Sequence, residues 1–238
     1  MPEAAPRPCV THADLVAFKY PLPNLSESLK RARNIKIVAI GSSSTAGADG
    51  VIPYPNRLEL LLRTRHYGRM IDVVNRGIGG QESPEELSRL ECDVIAERPS
   101  LVVWQVGTNA VYRSGDYNPD EVKSAISVGL GWLARHPIDV VLMDLQYTEA
   151  IVKHADQAED MVRRIQSAAD EANRASEANS KVNVFRRWSL MKRWSQDGVP
   201  LSDMDDGADT HLHTSDWATG CITKALDEAM AAAPPASA

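Results

Sequence analysis

Four short segments hold residue types able to do acyl chemistry: Gly41-Ser42-Ser43-Ser44-Thr45-Ala46-Gly47, Asn75-Arg76-Gly77-Ile78-Gly79-Gly80, Gly107-Thr108-Asn109 and Asp209-Thr210-His211-Leu212-His213. Acyl transfer needs a hydroxyl nucleophile, a base within hydrogen-bond reach and donors for the developing oxyanion. A serine in a strand-to-helix turn presents its hydroxyl at a sheet edge, and the nearby helix amino terminus favours negative charge there. A glycine N–H from the second segment and an asparagine side chain from the third can converge on the same point. A histidine from the last segment can reach the serine. Each feature alone is weak; their order along the chain is the stronger signal.

Other chemistry fits these residues less well. The 41–47 turn lacks the Gly-Lys-Ser/Thr ending of a phosphate-binding P-loop and does not fit G-x-G-x-x-G. Asp209, His211 and His213 supply ligand types for a metal, which makes a metal-dependent hydrolase a rival reading. Arg76 suits either an anionic substrate or a structural carboxylate. Trp104 lies inside an apolar run and reads as core. The clusters Arg186-Arg187-Trp188 and Lys192-Arg193-Trp194 read either as helix packing with snorkelled charges or as a basic–aromatic contact surface.

The elements that must position the four segments alternate along the chain. Apolar runs at 35–40, 71–74, 101–106, 140–145 and 182–185 predict five buried strands. Helical patterns lie between them, at 55–67, from the capping-box spacing Ser83-Pro84-Glu85-Glu86 to about 97, from Asn118-Pro119 to Pro137, and at 154–179. Thr214 or Ser215 caps a last helix running to about 231, with Asp216 in its first turn. Strands separated by helices predict an α/β fold, a three-layer α/β/α sandwich with a central parallel sheet. In such folds ligands gather beyond the carboxyl ends of the strands, and each of the first three segments directly follows a strand.

The 238 residues suffice for one large domain, and a net charge of −6 with interspersed signs lacks the basic stripe of a nucleic-acid surface, so no nucleic-acid partner is expected. No long uncharged apolar run predicts a transmembrane helix. Cys9, Cys92 and Cys221 permit one bridge and one free thiol, but spacing does not select the pair. The opening MPEAAPRPCV lacks a signal-peptide pattern, yet is similar to the Ala/Pro-rich spacer that often follows a cleaved signal. That favours a periplasmic or secreted protein, with a cytoplasmic one as the alternative.

Taken together, the segments resemble those of the SGNH hydrolases, also called GDSL-like lipases and acylhydrolases, over roughly residues 35–226. The family's first block, Gly-Asp-Ser-x-Thr-x-Gly, matches Gly41 to Gly47 with Ser42 in place of the aspartate. The resemblance implies Ser43 as nucleophile and an oxyanion hole built from the backbone N–H groups of Ser43 and Gly80 with the Asn109 side chain. The family's last block, Asp-x-x-His, is not kept: Thr210 precedes His213 at that spacing, and Ala208 precedes His211. His213 is taken as the base because the run Leu212-His213-Thr214-Ser215-Asp216-Trp217 resembles a bacterial subgroup's entry into its last helix. Asp209 is the expected orienting acid, Asp206 the second choice, and a Ser-His dyad without an acid a third.

The implied architecture is an N-terminal extension over 1–33, an SGNH (flavodoxin-like) hydrolase domain over 34–232 and a disordered tail over 233–238. The implied activity is hydrolysis of a small-molecule or carbohydrate ester, short-acyl esters such as acetate first, with no cofactor and no metal. Thioesterase and lysophospholipase activities belong to the same family, and a catalytically silent glycan-binding domain is the rival from another class. The sequence leaves the oligomeric state open.

Overall fold

The computed structural model describes residues 7–32, 34–48, 50–176 and 181–235. The expected ends at 1–6 and 236–238, and the last residues of the helix expected over 154–179, therefore lie outside the described residues. Five strands coincide with the five apolar runs: β1 (Asn34–Gly41), β2 (Met70–Gly77), β3 (Leu101–Gln105), β4 (Asp139–Met143) and β5 (Asn183–Phe185). They form one parallel sheet in the order β2-β1-β3-β4-β5. The order reverses between β1 and β3, which makes a crevice beyond their carboxyl ends.

Alternation along the strands builds two cores. Ile35, Ile37, Ala39, Leu101, Val103, Val141 and Met143 face one helical layer, while Val38, Ile40, Val102, Trp104, Val140 and Leu142 face the other. The first layer holds α1 (Ala13–Val16), α2 (Pro23–Arg31), α4 (Tyr54–Arg65), α10 (Arg187–Gln196), α11 (Leu201–Met204) and α12 (Asp216–Ala231). The second holds α6 (Thr108–Tyr112), α7 (Pro119–Leu133), α8 (Glu149–Val152) and α9 (Ala155–Ala175). The single turn α3 (Ser43–Ala46) follows β1, and α5 (Ser83–Ser88) follows β2.

The chain before β1 is part of the first layer. Val16, Phe18, Leu22 and Leu25 are buried in it. The buried Asp139 of β4 accepts from the Leu25 N–H and the Asn24 side chain, both at 2.9 Å, and so supplies the amino-terminal cap that α2 lacks from its own sequence. A Cys9–Cys221 disulfide, 212 residues apart in sequence, ties this segment to α12, and Cys92 is the exposed free thiol.

Two local expectations shift. The capping box sits one residue earlier, with Glu82 as N-cap and Glu85 closing it. Ser83 instead turns its hydroxyl to the Val122 carbonyl at 3.0 Å. The helix expected to continue to 97 stops at Ser88 and resumes as a π-helical turn, Glu91–Ile95. The basic–aromatic clusters make no continuous surface, because Arg187, Trp188 and Trp194 are buried.

Candidate active site

β1 ends at Gly41 and the chain turns at once into α3, so Ser43 occupies the first helical position, half-buried at the sheet edge. The approach of β2 to this turn is close. A Cβ on Gly77 would lie 2.1 Å from the Ala46 nitrogen, so only glycine fits there. Ser42, where the family's aspartate would stand, is buried. Its N–H and hydroxyl both donate to Gln105 Oε1, at 3.1 and 3.0 Å. Two bonds to one side chain fix the turn without an acid at that position.

The Ser43 hydroxyl lies 2.9 Å from His213 Nε2. The other ring nitrogen, Nδ1, faces Asp206 Oδ2 at 3.4 Å, and that carboxylate is buried. Asp209, by contrast, is exposed, and among the described residues it has no hydrogen bond or ion pair. The loop path explains the difference. Asp205 pairs with Thr214 in an antiparallel bridge, and the Asp206 N–H donates to the His213 carbonyl at 3.0 Å. Asp206 and His213 are thereby set side by side, while 207–211 bulge outward and leave Asp209 exposed. His211 turns to Asp205, with Nδ1 3.3 Å from Oδ2, so Asp209, His211 and His213 do not converge as a chelating set.

Of the residues expected as oxyanion donors, Gly80 lies in a turn beside Ser43, and Asn109 is hydrogen-bonded to the end of that turn. The Ser43 N–H opens α3 and, like the N–H groups of Gly79 and Gly80, has no partner among the described residues. Ile78 to Gln81 form a turn closed by a 3.4 Å bond, and Gly80 at φ 81 takes the left-handed position of a type II turn. The Gly80 carbonyl is held from behind by Arg113 and by the Tyr117 hydroxyl at 3.1 Å. A Cβ on Gly79 would lie 3.9 Å from the Ser43 Cβ, which places this turn against Ser43. Asn109, buried in the first turn of α6, donates one amide hydrogen to the Gln81 carbonyl at 2.7 Å and keeps the other.

Sequence reasoning missed the residues that support this arrangement. Gln105 Nε2 donates to the Thr108 hydroxyl at 3.3 Å, which donates to Gln146 Oε1 at 2.9 Å. Gln146 Nε2 and the Thr148 hydroxyl then hold the Leu212 carbonyl, at 3.0 and 2.9 Å. This buried chain joins the Ser42–Ser43 turn to the residue before His213. A polar Gln105 inside an otherwise apolar strand is its one visible signal in the sequence. Arg187, also buried, donates to Gln146 Oε1 at 2.7 Å and to the Asp144 carbonyl at 2.9 Å. Burial lowers Arg187 to about 10 and pushes the Asp144 carboxyl up to about 7.

Glu82 plays the same part at the turns that carry Gly80 and Asn109. It accepts from the N–H groups of Gly107 at 2.8 Å, Ser83 at 2.9 Å and Ala110 at 3.1 Å, which locks the Asn109 turn to the end of the Gly80 turn. Burial raises both Glu82 and its neighbour Glu86. Glu86 goes well above the carboxylate range, because the Glu82 charge adds to burial. Trp104 is core, as expected, and its indole N–H donates to Glu86 at 2.7 Å. Arg76 pairs with Glu97, a structural carboxylate.

A parallel sheet ordered 2-1-3-4-5, with a serine, a histidine and an aspartate in line at its reversal point, defines an SGNH-type hydrolase fold. The chain belongs to the Non-GDSL lipase-like family, whose model matches residues 8–234. Among solved structures it is similar to Axe2, an acetylxylan esterase from Geobacillus stearothermophilus, with a TM-score of 0.67 and 20% identity over 82% of this chain and 94% of that one. It is also similar to LAE5, an alpha/beta hydrolase enzyme from the metagenome of Lake Arreo, Spain, with a TM-score of 0.64 and 18% identity over 84% and 97%. At those identities the likeness is one of fold. A 76-residue stretch is 33% identical to the uncharacterized lipoprotein YqeF of Bacillus subtilis (strain 168), covering 31% of each chain.

Proposed function

We propose that this protein hydrolyses carboxylic esters through an acyl-enzyme at Ser43. The 2.9 Å contact between the Ser43 hydroxyl and His213 Nε2 carries the reading. His213 takes the hydroxyl proton as the oxygen attacks the ester carbonyl. The carbonyl oxygen, now negative, is met by the N–H groups of Ser43 and Gly80 and by the Asn109 amide. His213 returns the proton to the leaving alcohol, then deprotonates the water that releases the acid and frees Ser43. Asp206, rather than Asp209, orients the ring and stabilises its positive charge, a role supported by its buried place beside Nδ1.

A short acyl group, acetate first, is the proposed substrate class. A cavity of only about 20 Å³ adjoins Ser43, lined in part by Ser44, Val51, Pro53 and Thr219. Solved Axe2 forms include an acetylxylan esterase and variants described as catalytic mutants that replace a serine, an aspartate and a histidine, which supports the same division of labour here. An oxidising compartment outside the cytoplasm is supported by the Cys9–Cys221 disulfide and the likeness to a lipoprotein. Among the described residues no helix is long and apolar enough to cross a membrane.

The test is hydrolysis of p-nitrophenyl acetate by the protein and by Ser43→Ala. Loss of turnover in the variant is expected, and equal rates would remove the assignment. A series of p-nitrophenyl esters should show kcat/KM falling beyond short chains; a maximum at long chains would point to lysophospholipid-like substrates instead.

A further inference from the structure

We propose that Glu149, Asp205 and His211 bind a divalent transition-metal ion, zinc being the best chemical match, and that the ion braces the loop carrying His213. The three residues come from separate segments: the first residue of α8, the residue after α11, and the outward bulge of the following loop. One ligand atom from each lies within 4.8 Å of the others. An imidazole with two carboxylates suits zinc and its first-row neighbours, whereas calcium and magnesium favour all-oxygen sets.

The spacing fits. Zinc bonds to nitrogen and oxygen of about 2.0–2.1 Å place tetrahedral neighbours roughly 3.3 Å apart. His211 Nδ1 and Asp205 Oδ2 already stand 3.3 Å apart. The Asp205 carboxylate is buried, and its other oxygen accepts the Gly207 N–H at 3.0 Å, which orients Oδ2 toward the imidazole. Glu149 is the movable ligand. Its side chain is 40% exposed and pairs at 2.9 Å with Lys153, so it can swing inward by rotating about its own bonds. The fourth position is left to water. Two carboxylates and a neutral imidazole carry a charge of about −2, which a divalent ion cancels.

The His211 backbone is already anchored. Its carbonyl accepts the Ala150 N–H at 3.1 Å and its N–H donates to the Ala208 carbonyl at 2.9 Å. An ion here would join α8 to both ends of the bulge. Those ends hold Asp206 next to Asp205, and His213 two residues beyond His211. The ion takes no part in the ester chemistry, because His213 Nε2 faces Ser43 instead.

The experiment is calorimetric titration of the chelator-treated protein with zinc, and separately with calcium, beside His211→Ala, Glu149→Gln and His213→Ala. One zinc per chain is expected, weakened at least tenfold by His211→Ala and by Glu149→Gln but unchanged by His213→Ala. At a hundredfold excess over Kd, zinc should raise Tm by about 5–10 °C. Unchanged affinity in His211→Ala, dependence on His213, or calcium binding in preference to zinc would each overturn the proposal. Binding is read without reference to turnover, so it stands or falls apart from the esterase reading.

Discussion

Replacing Asp206 by asparagine separates the observed pairing from the one the spacing suggested. In the proposed mechanism His213 becomes an imidazolium during attack, and its Nδ1 lies 3.4 Å from a carboxylate oxygen. At that distance opposite unit charges attract by about 5 kcal/mol at an effective dielectric near 20 and about 1 kcal/mol in bulk water. The Asp206 side chain is 1% exposed and the imidazole 17%, so the environment lies between the two limits. A loss of about 3 kcal/mol, or roughly 100-fold in kcat, follows from that placement. The charge exists only once the proton has moved, so kcat should fall while KM holds. Asp209→Asn removes only the charge of an exposed side chain and should change kcat by no more than about twofold. Steady-state p-nitrophenyl acetate kinetics on both variants, with circular dichroism to confirm folding, decide the matter. A large loss in Asp209→Asn, or wild-type kcat in Asp206→Asn, would refute the reasoning.

Asn109→Ala should lower kcat by about 100- to 1,000-fold, since the variant lacks one of the proposed oxyanion donors, and an unchanged kcat would refute that role. Burial raises the Asp144 carboxyl to about 7, so the folded state holds a proton that the unfolded chain gives up near pH 4. That contribution is full below about pH 4, falls as pH rises, and is gone above about pH 7. Urea unfolding at pH 5 and pH 8 should show lower stability at pH 8 from this group, and Asp144→Asn should reduce the difference; an undiminished difference would assign it to other groups. Reducing the Cys9–Cys221 bridge should cost about 2–5 kcal/mol and lower Tm, whereas unchanged Tm in dithiothreitol would mean that the bridge adds no net stability.

The sequence by itself determined the layered fold, because its cues are local. Five apolar runs bounded by turn residues specify strands wherever the chain packs, and all five are strands in the sheet. Ser43, Gly80, Asn109 and His213 became candidates through the resemblance to SGNH blocks, each at a fixed offset from a strand or helix end. Only the tertiary structure decided which acid meets which imidazole. The 205–214 bridge and the bulge it closes put Asp206, not Asp209, beside His213, and chain spacing carries no record of that path. Likewise Gln105, Gln146 and Glu82 act through partners 25 to 66 residues away, and Cys9 meets Cys221 across 212. Hydrophobic periodicity reports which face a residue turns inward. The partner it finds there depends on how separately formed elements dock.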